Sequence, residues 1–432
     1  MVKNYYIILK QIKNIRFYKL EMLGDISPSF CSPSFYIDGN ILWKDIIKKL
    51  HGAIYQQCDY QVKVNGKRKG LFLFSANYST RNDLKKKFDN VSSLVEDKIT
   101  VVSKNTYIKK DIREVCLLLF VWIFQLRKVK TGIKIKIQYA LELLHAYYNF
   151  INIKNIIDNY EKDLKMVLTY TDVHSIDALV TKYANYRKIT TVTIQHAIYN
   201  FNPNMIGQDL DNTWQIIMSR SKYLLAYGPK VKYDAKILHH KGTVIPVGNP
   251  RNIEEEIVIG FNKKNTNTFL ILLNGNIDTK VQNKHNVELI EFGNCIANKY
   301  NLNYIIRKHP QDNTKYKIKD AKYFMGYSNN KKDISEILNK IDFVIGGNSN
   351  AIAELLYYGV LVFRYSYLGD DFYYGIWWNI FKNLVDLTGL VEKFLNDKNY
   401  YNKLIIKTKN MLFEKGDVSK NYISFFEKIL NK

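Results

Sequence analysis

From residue 165 to 195, and again from 269 to 363, short apolar runs alternate with segments of helical period, which narrows the accessible folds more than any other feature of the chain. Residues 165–172 (KMVLTYTD) read as a strand, 175–186 as an amphipathic helix and 190–195 (TTVTIQ) as a second strand rich in β-branched side chains. Strand, helix and strand within about thirty residues form a βαβ unit, and such units build parallel sheets. The pattern restarts with strands at 269–273 (FLILL), 302–307 (LNYIIR), 342–345 (DFVI) and 360–363 (VLVF), separated by helices at 287–300, 334–340 and 351–358. Two short strands at 223–227 and 243–247 lie between these blocks, and 70–76 (GLFLFSA) has a buried strand's composition. The rest of the N-terminal third is lysine-rich and carries little periodicity.

A chain of 432 residues exceeds a comfortable single core. The polar stretch 262–267 (NKKNTN) is a plausible junction. The expected class is therefore α/β, with two Rossmann-like domains at 1–262 and 263–415. The segment 416–432 is expected to form a C-terminal helix.

Hydrophobic residues make up 47% of the chain, which excludes general disorder. The formal charge of +24, from 64 Lys and Arg against 40 Asp and Glu, favours polyanions or an anionic membrane face. Enrichment in Lys, Asn, Ile and Tyr runs through the whole sequence, so part of that charge is compositional bias. Cys31, Cys58, Cys116 and Cys295 form no Cys-x-x-Cys pair, which argues against a disulfide framework or a zinc site. No signal-peptide core is evident near Met1, and a cytoplasmic location is expected. The run 115–124 is too short to cross a bilayer. It reads as a buried core helix or as a helix on an anionic membrane surface, with Trp122 and Phe124 in the interface and the lysines that follow at the headgroups.

In open parallel sheets, ligands bind beyond the carboxyl ends of the strands. The residues placed there are Asp172 and His174, Gln195 and His196, Gly248 to Arg251, Asn274 and Gly275, Lys308 to Pro310, and Gly346 to Asn350. Gly346-Gly347-Asn348-Ser349-Asn350 turns a strand into a helix: the glycines allow close backbone approach, and Ser349 and Asn350 can cap the helix. Glu354 follows about one turn later, where it could accept from ribose hydroxyls or simply complement the helix dipole. Lys308 and His309 could hold phosphates, with Pro310 stiffening the turn. His196 could take a proton from an acceptor hydroxyl, and Asp172 is a rival base.

The chain has no P-loop, no Gly-x-Gly-x-x-Gly after the first strand, no Gly-x-Ser-x-Gly elbow and no His-Glu-x-x-His. Kinase, dehydrogenase, hydrolase and zinc-protease readings lose support accordingly. Asp370-Asp371 is only a weak substitute for a metal-binding Asp-x-Asp, so no cofactor and no metal are expected.

In this order, Gln195-His196, Gly248-Asn249-Pro250-Arg251, Arg307-Lys308-His309-Pro310 and Asn348-Ser349-Asn350 with Glu354 resemble the landmarks of GT-B fold transferases that build bacterial surface polymers. That group includes capsular polysaccharide glycosyltransferases, bacterial sialyl- and polysialyltransferases, and the CDP-glycerol glycerophosphotransferases of teichoic acid synthesis. The resemblance spans roughly residues 165–363. It implies two Rossmann-like domains facing a central cleft, with the acceptor on the N-terminal domain, the nucleotide donor on the C-terminal one, and the helix at 416–432 packing back on the N-terminal domain. It assigns nucleotide binding to His309-Pro310 and Ser349-Asn350, and the role of base to His196. Gln-His-Ala replaces the glycerophosphotransferases' Trp-His-Gly, and Gly-Gly-Asn-Ser-Asn followed by glutamate replaces their Asp-Tyr-Ser-Ser followed by aspartate. The Ser349-x-x-x-x-Glu354 spacing is closer to the sugar-nucleotide enzymes and favours sugar transfer over glycerol phosphate transfer.

The expected function is transfer of a sugar from a nucleotide-sugar to a growing capsule-type polysaccharide or lipid-linked saccharide, possible also at the inner face of an anionic membrane. A polyol-phosphate transferase of teichoic-acid type is the first alternative. The second is a non-catalytic RNA-binding protein, against which the absence of a recognisable nucleic-acid module counts.

Overall fold

A computed structural model describes residues 11–23, 43–66, 70–76, 82–107, 110–173, 175–195, 214–253, 266–274, 279–309, 312, 314–318, 321–330, 332, 334–347, 351–366 and 378–431. The chain divides into two compact units. Unit 1 comprises Met1–His196, Pro203–Glu255 and Glu414–Lys432, and unit 2 comprises Ala197–Asn202 and Glu256–Phe413.

Unit 1 holds a seven-stranded sheet made of β1 (Gln56–Asn65), β2 (Leu71–Ala76), β3 (Lys98–Tyr107), β4 (Leu164–Thr169), β5 (Thr190–Ile194), β6 (Tyr223–Ala226) and β7 (Thr243–Pro246), in the order β1-β3-β2-β4-β5-β6-β7. Only the edge pair β1 and β3 is antiparallel; every other pairing is parallel. Successive side chains on a strand point to opposite faces, so each strand serves two cores. Leu73, Ile99 and Val167 join a core with helices α1 (Trp43–Tyr55), α3 (Ile112–Gln125), α4 (Ile133–Tyr160) and α5 (Ser175–Tyr186). Phe72, Phe74, Met166, Leu168 and Val192 face the other way, onto α2 (Asn82–Ser93) and the C-terminal helix Val418–Leu430. That helix returns Val418, Tyr422, Phe425, Phe426 and Ile429 to the core of unit 1.

Its seat is specific. Gly248 follows β7 with φ +103°, and a Cβ there would lie 2.6 Å from Val418. A left-handed backbone and a close approach together call for glycine at this position. Beside it, Asn249 Oδ1 accepts from Arg251 N at 3.2 Å, and Asn90 Nδ2 donates to the Pro250 carbonyl at 3.2 Å. The Gly248 to Arg251 turn thus joins two elements that cover the sheet.

The run at 115–124 lies within α3, whose inward face carries Val115, Leu118 and Trp122. Trp122 is fully buried and its Nε1 donates to the Tyr18 carbonyl at 3.1 Å, which fits the core-helix reading of this run and takes Trp122 out of the alternative one, in which it enters a membrane interface. Phe124 is exposed. Among the described residues, no helix is long and apolar enough to cross a membrane.

Unit 2 is an all-parallel six-stranded sheet of β8 (Thr268–Leu272), β9 (Asn303–Arg307), β10 (Phe324–Tyr327), β11 (Phe343–Gly346), β12 (Leu361–Tyr365) and β13 (Ile380–Phe381). The order is β10-β9-β8-β11-β12-β13. Counted within the unit this is 3-2-1-4-5-6, the Rossmann order. Phe269, Ile271, Tyr304, Ile306, Phe343, Ile345, Leu361 and Phe363 pack under helices Thr279–Tyr300, Leu384–Asn396 and Lys398–Leu412. On those strands Leu270, Leu272, Val344 and Val362 are also buried, as are Ile352, Leu355 and Leu356 of the helix Ala351–Tyr357. Burial on both faces explains why these strands read as unbroken apolar runs.

Candidate functional site

In the Rossmann order the chain leaves β8 for one half of the sheet and returns to its other side at β11. The two neighbouring strands are therefore followed by segments that diverge, and the opening between them is where such sheets bind ligands. Asn274 lies just beyond β8 and Gly347 just beyond β11. The Asn274 side chain packs directly against Gly347, where an added Cβ would fall 2.7 Å from Asn274 Cγ.

The main chain of Asn274 is held by a buried network. Its N–H donates to Asn286 Oδ1 at 3.0 Å, and Asn286 Nδ2 donates to its carbonyl at 3.3 Å. Asn286 Nδ2 also reaches Tyr316 Oη at 2.9 Å, and Tyr316 Oη donates to Asp312 Oδ2 at 2.9 Å. Asp312 caps the turn after β9: its N–H donates to the His309 carbonyl at 2.9 Å and its Oδ1 accepts from Thr314 N at 2.9 Å. Burial raises the Tyr316 hydroxyl to about 12, with Asp312 adding to the rise against the opposing effect of Asn286, so this hydroxyl stays a donor at neutral pH. The β8 and β9 ends are thereby fixed to one another.

The Asn274 side chain has no such support. It is almost fully buried, yet among the described residues neither Nδ2 nor Oδ1 has a hydrogen-bond partner. Leaving buried polar groups unmade costs about 1–3 kcal/mol each. An amide with one acceptor and two donor positions, held at a ligand-binding edge, is chemically suited to a group that both donates and accepts.

Among the other expected contacts, Lys308 Nζ donates to the Thr314 carbonyl at 3.0 Å and lies 5.8 Å from the Tyr327 ring centre. Arg307 bonds the carbonyls of Asn329 and Lys332 at 3.1 and 2.5 Å, so its guanidinium braces the strand end. His309 and Glu354 are half-buried, the latter in the first turn of the helix after β11. His196, Gly275, Pro310, Asn348, Ser349 and Asn350 lie outside the described residues, as does His174.

A further cluster escaped the sequence reading. Glu288 Oε2 accepts from Tyr365 Oη at 2.9 Å and is bonded to His285 Nδ1 at 3.0 Å. Tyr365 closes β12, and His285 immediately precedes Asn286 on one helix. Burial alone would raise the Glu288 carboxyl, but the bonds from His285 and Tyr365 and the nearby Lys284 outweigh it and hold the group below the usual glutamate range. Burial and the Glu288 bond lift Tyr365 to about 12.

In unit 1, Asp172 is buried, and its Oδ2 accepts from Ser219 Oγ, Arg220 N and Ser221 N, each at 2.7 Å. Its own N–H donates to Thr193 Oγ1 at 3.2 Å. Through this one oxygen Asp172 clamps the β4 end to the segment before β6. Gln195 is likewise structural in its amide oxygen, which accepts from Tyr227 N at 2.6 Å.

Among the described residues, no group of three or more His, Cys, Asp or Glu is placed to hold a metal ion. No protein-family model matches the chain, and no curated protein matches it. Solved structures do. S. aureus MnaA in its co-structure with UDP aligns with a TM-score of 0.51 at 12% identity, over 84% of this chain and 98% of that one. The glycotransferase of kitacinnamycin aligns with a TM-score of 0.50 at 10% identity, over 84% of this chain and 99% of its own. At such identities the likeness speaks for the fold, and the fold is GT-B, with two Rossmann-like α/β units.

Proposed function

We propose that the chain is a glycosyltransferase that binds a nucleotide-sugar at the β8/β11 edge of unit 2 and passes the sugar to a saccharide acceptor of a cell-surface, capsule-type polymer. The carrying observation is Asn274, a buried amide without a partner among the described residues, packed on Gly347 at the reversal of a Rossmann sheet. The UDP in the MnaA co-structure and the glycotransferase among the similar folds support a nucleotide-sugar as ligand.

In this reading Asn274 hydrogen-bonds the nucleotide, Lys308 and His309 lie by its phosphates, and Glu354 receives the ribose hydroxyls. Gly275, Pro310, Asn348, Ser349 and Asn350 complete the donor site. The acceptor oxygen attacks the anomeric carbon as the bond to the phosphate oxygen breaks, and the electron pair leaves with the nucleotide. Lys308 stabilises the growing negative charge. His196 takes the proton from the acceptor hydroxyl. The reaction needs no divalent metal, so turnover persists in excess EDTA.

A thermal-shift panel with UDP, CDP and CMP tests the reading, since stabilisation reports ligand affinity. A saturable rise in melting temperature with one nucleotide is expected, retained in His196→Ala while turnover is lost. No shift with any nucleotide would remove the donor site from the account.

A further inference from the structure

Helix α3 turns one face into unit 1 and presents another to solvent. Leu117, Phe120 and Phe124, spaced three and four residues apart on that outer face, are 50%, 71% and 55% exposed. A helix stripe of this period normally meets a core. Here Val115, Leu118 and Trp122 already supply the buried side, so the outer stripe is a second apolar face.

The face continues beyond the helix. The Arg127 guanidinium stacks 3.9 Å from the centre of the Phe124 ring and its Nη1 donates to the Phe124 carbonyl at 3.2 Å. Lys136 Nζ donates to the Arg127 carbonyl at 3.2 Å, and Lys134 Nζ lies 5.3 Å from the centre of the Trp43 ring. Trp43 is 53% and Ile47 64% exposed on α1, and Ile133 is exposed beside Lys134. Leu117, Phe120 and Phe124 thus form an apolar stripe followed in the chain by Arg127, Lys128, Lys130, Lys134 and Lys136, and Trp43, Ile47 and Ile133 are further exposed apolar side chains on α1 and α4. Two carboxylates on these helices are paired with cations, Glu114 with Lys19 at 2.6 Å and Glu142 with Lys49 at 2.9 Å, while Asp111 is exposed at the N-cap of α3.

We propose that this face docks on a lipid bilayer rich in anionic headgroups, with α3 lying in the plane of the interface. Aromatic and aliphatic side chains enter the boundary between headgroups and acyl chains, while the flanking cations extend to lipid phosphates and carboxylates, as interfacial helices require. With 14 residues, α3 is shorter than the roughly 20 that a crossing needs, so it lies on the surface. Charge complementarity selects this occupant. A second copy of the chain on a two-fold axis would set the same cations against one another. Each cation near an anionic surface raises affinity by about fivefold. The proposal is independent of the nucleotide bound by unit 2, because its readout is lipid partition.

The test is co-sedimentation of the full chain with phosphatidylcholine vesicles with and without about 30 mol% phosphatidylserine, alongside its sedimentation as a free protein. The wild type is expected to bind the anionic vesicles at least about tenfold better than the neutral ones. F120S/F124S and R127E/K130E should each lower binding by about tenfold or more while keeping the wild-type melting temperature. Absence of binding to anionic vesicles, or binding unchanged in both double variants, overturns the proposal. So does a wild-type dimer that F120S/F124S converts to monomer without altering vesicle binding, since the face would then belong to a second copy.

Discussion

Gly347 and Asn274, at the ends of neighbouring strands, approach so closely that a Cβ on the glycine would fall 2.7 Å from Asn274 Cγ and closer still to both terminal atoms of the amide. The asparagine main chain is pinned by Asn286, so an added Cβ must be met by the side chain turning about its own bonds. In Gly347→Ala the side chain should be driven from its place at an overpacking cost of about 1–3 kcal/mol. Nucleotide affinity, measured by titration, should fall by about tenfold, with a lower but cooperative melting transition. Unchanged affinity would separate Gly347 from the ligand.

Tyr316 links the turn after β9 to Asn286 and so to Asn274. Tyr316→Phe removes the donor to buried Asp312 Oδ2 and the acceptor for Asn286 Nδ2. Loss of these bonds should cost about 1–3 kcal/mol in chemical denaturation, and nucleotide binding should weaken. Wild-type stability would show that the network does not hold the two strand ends.

Gly248 tests the seat of the C-terminal helix. Gly248→Ala combines a left-handed backbone with contact on Val418, for an expected loss of about 2–4 kcal/mol. Adding Val418→Ala should relieve the contact but not the backbone strain, returning part of the loss. A double-mutant cycle that shows simple additivity would contradict the packing described.

Acid stability should report Glu288. A carboxyl depressed in the folded chain binds its proton less readily than in the unfolded chain, so its contribution is present above the ordinary glutamate pKa of about 4.3 and is lost as pH falls through the folded value. Melting temperature should therefore drop more steeply below about pH 4.3 in the wild type than in Glu288→Gln. Parallel acid profiles would mean that His285 and Tyr365 do not hold the carboxylate.

The parallel strands were legible because burial on both faces demands runs such as FLILL and VLVF, and the helix Ser175–Tyr186 because its apolar period has clear ends. β1 and β3 were not legible. β1 (QQCDYQVKVN) is an edge strand whose Val62 and Val64 are exposed, so hydrophobic burial left no pattern in it. β10, with the pattern FMGY, is likewise an edge strand, half of it exposed. At the site, strand-end position was enough to single out Asn274, but nothing local distinguishes it from Asp172. Both are polar residues after a strand; among the described residues one amide lacks a partner while one carboxylate oxygen of the other accepts from three donors, a difference set by tertiary contacts. Asn274, Asn286 and Tyr316 act through one another across 12 and 30 residues of sequence, a pairing no short motif records.

Calorimetric titration of UDP, CDP and CMP into the full chain and into Asn274→Ala tests the donor site most directly. The account predicts saturable binding of one of these nucleotides by the wild type, and affinity reduced by about tenfold or more in a variant that melts normally. A wild type that binds none of them, or a variant that binds with undiminished affinity, would contradict it.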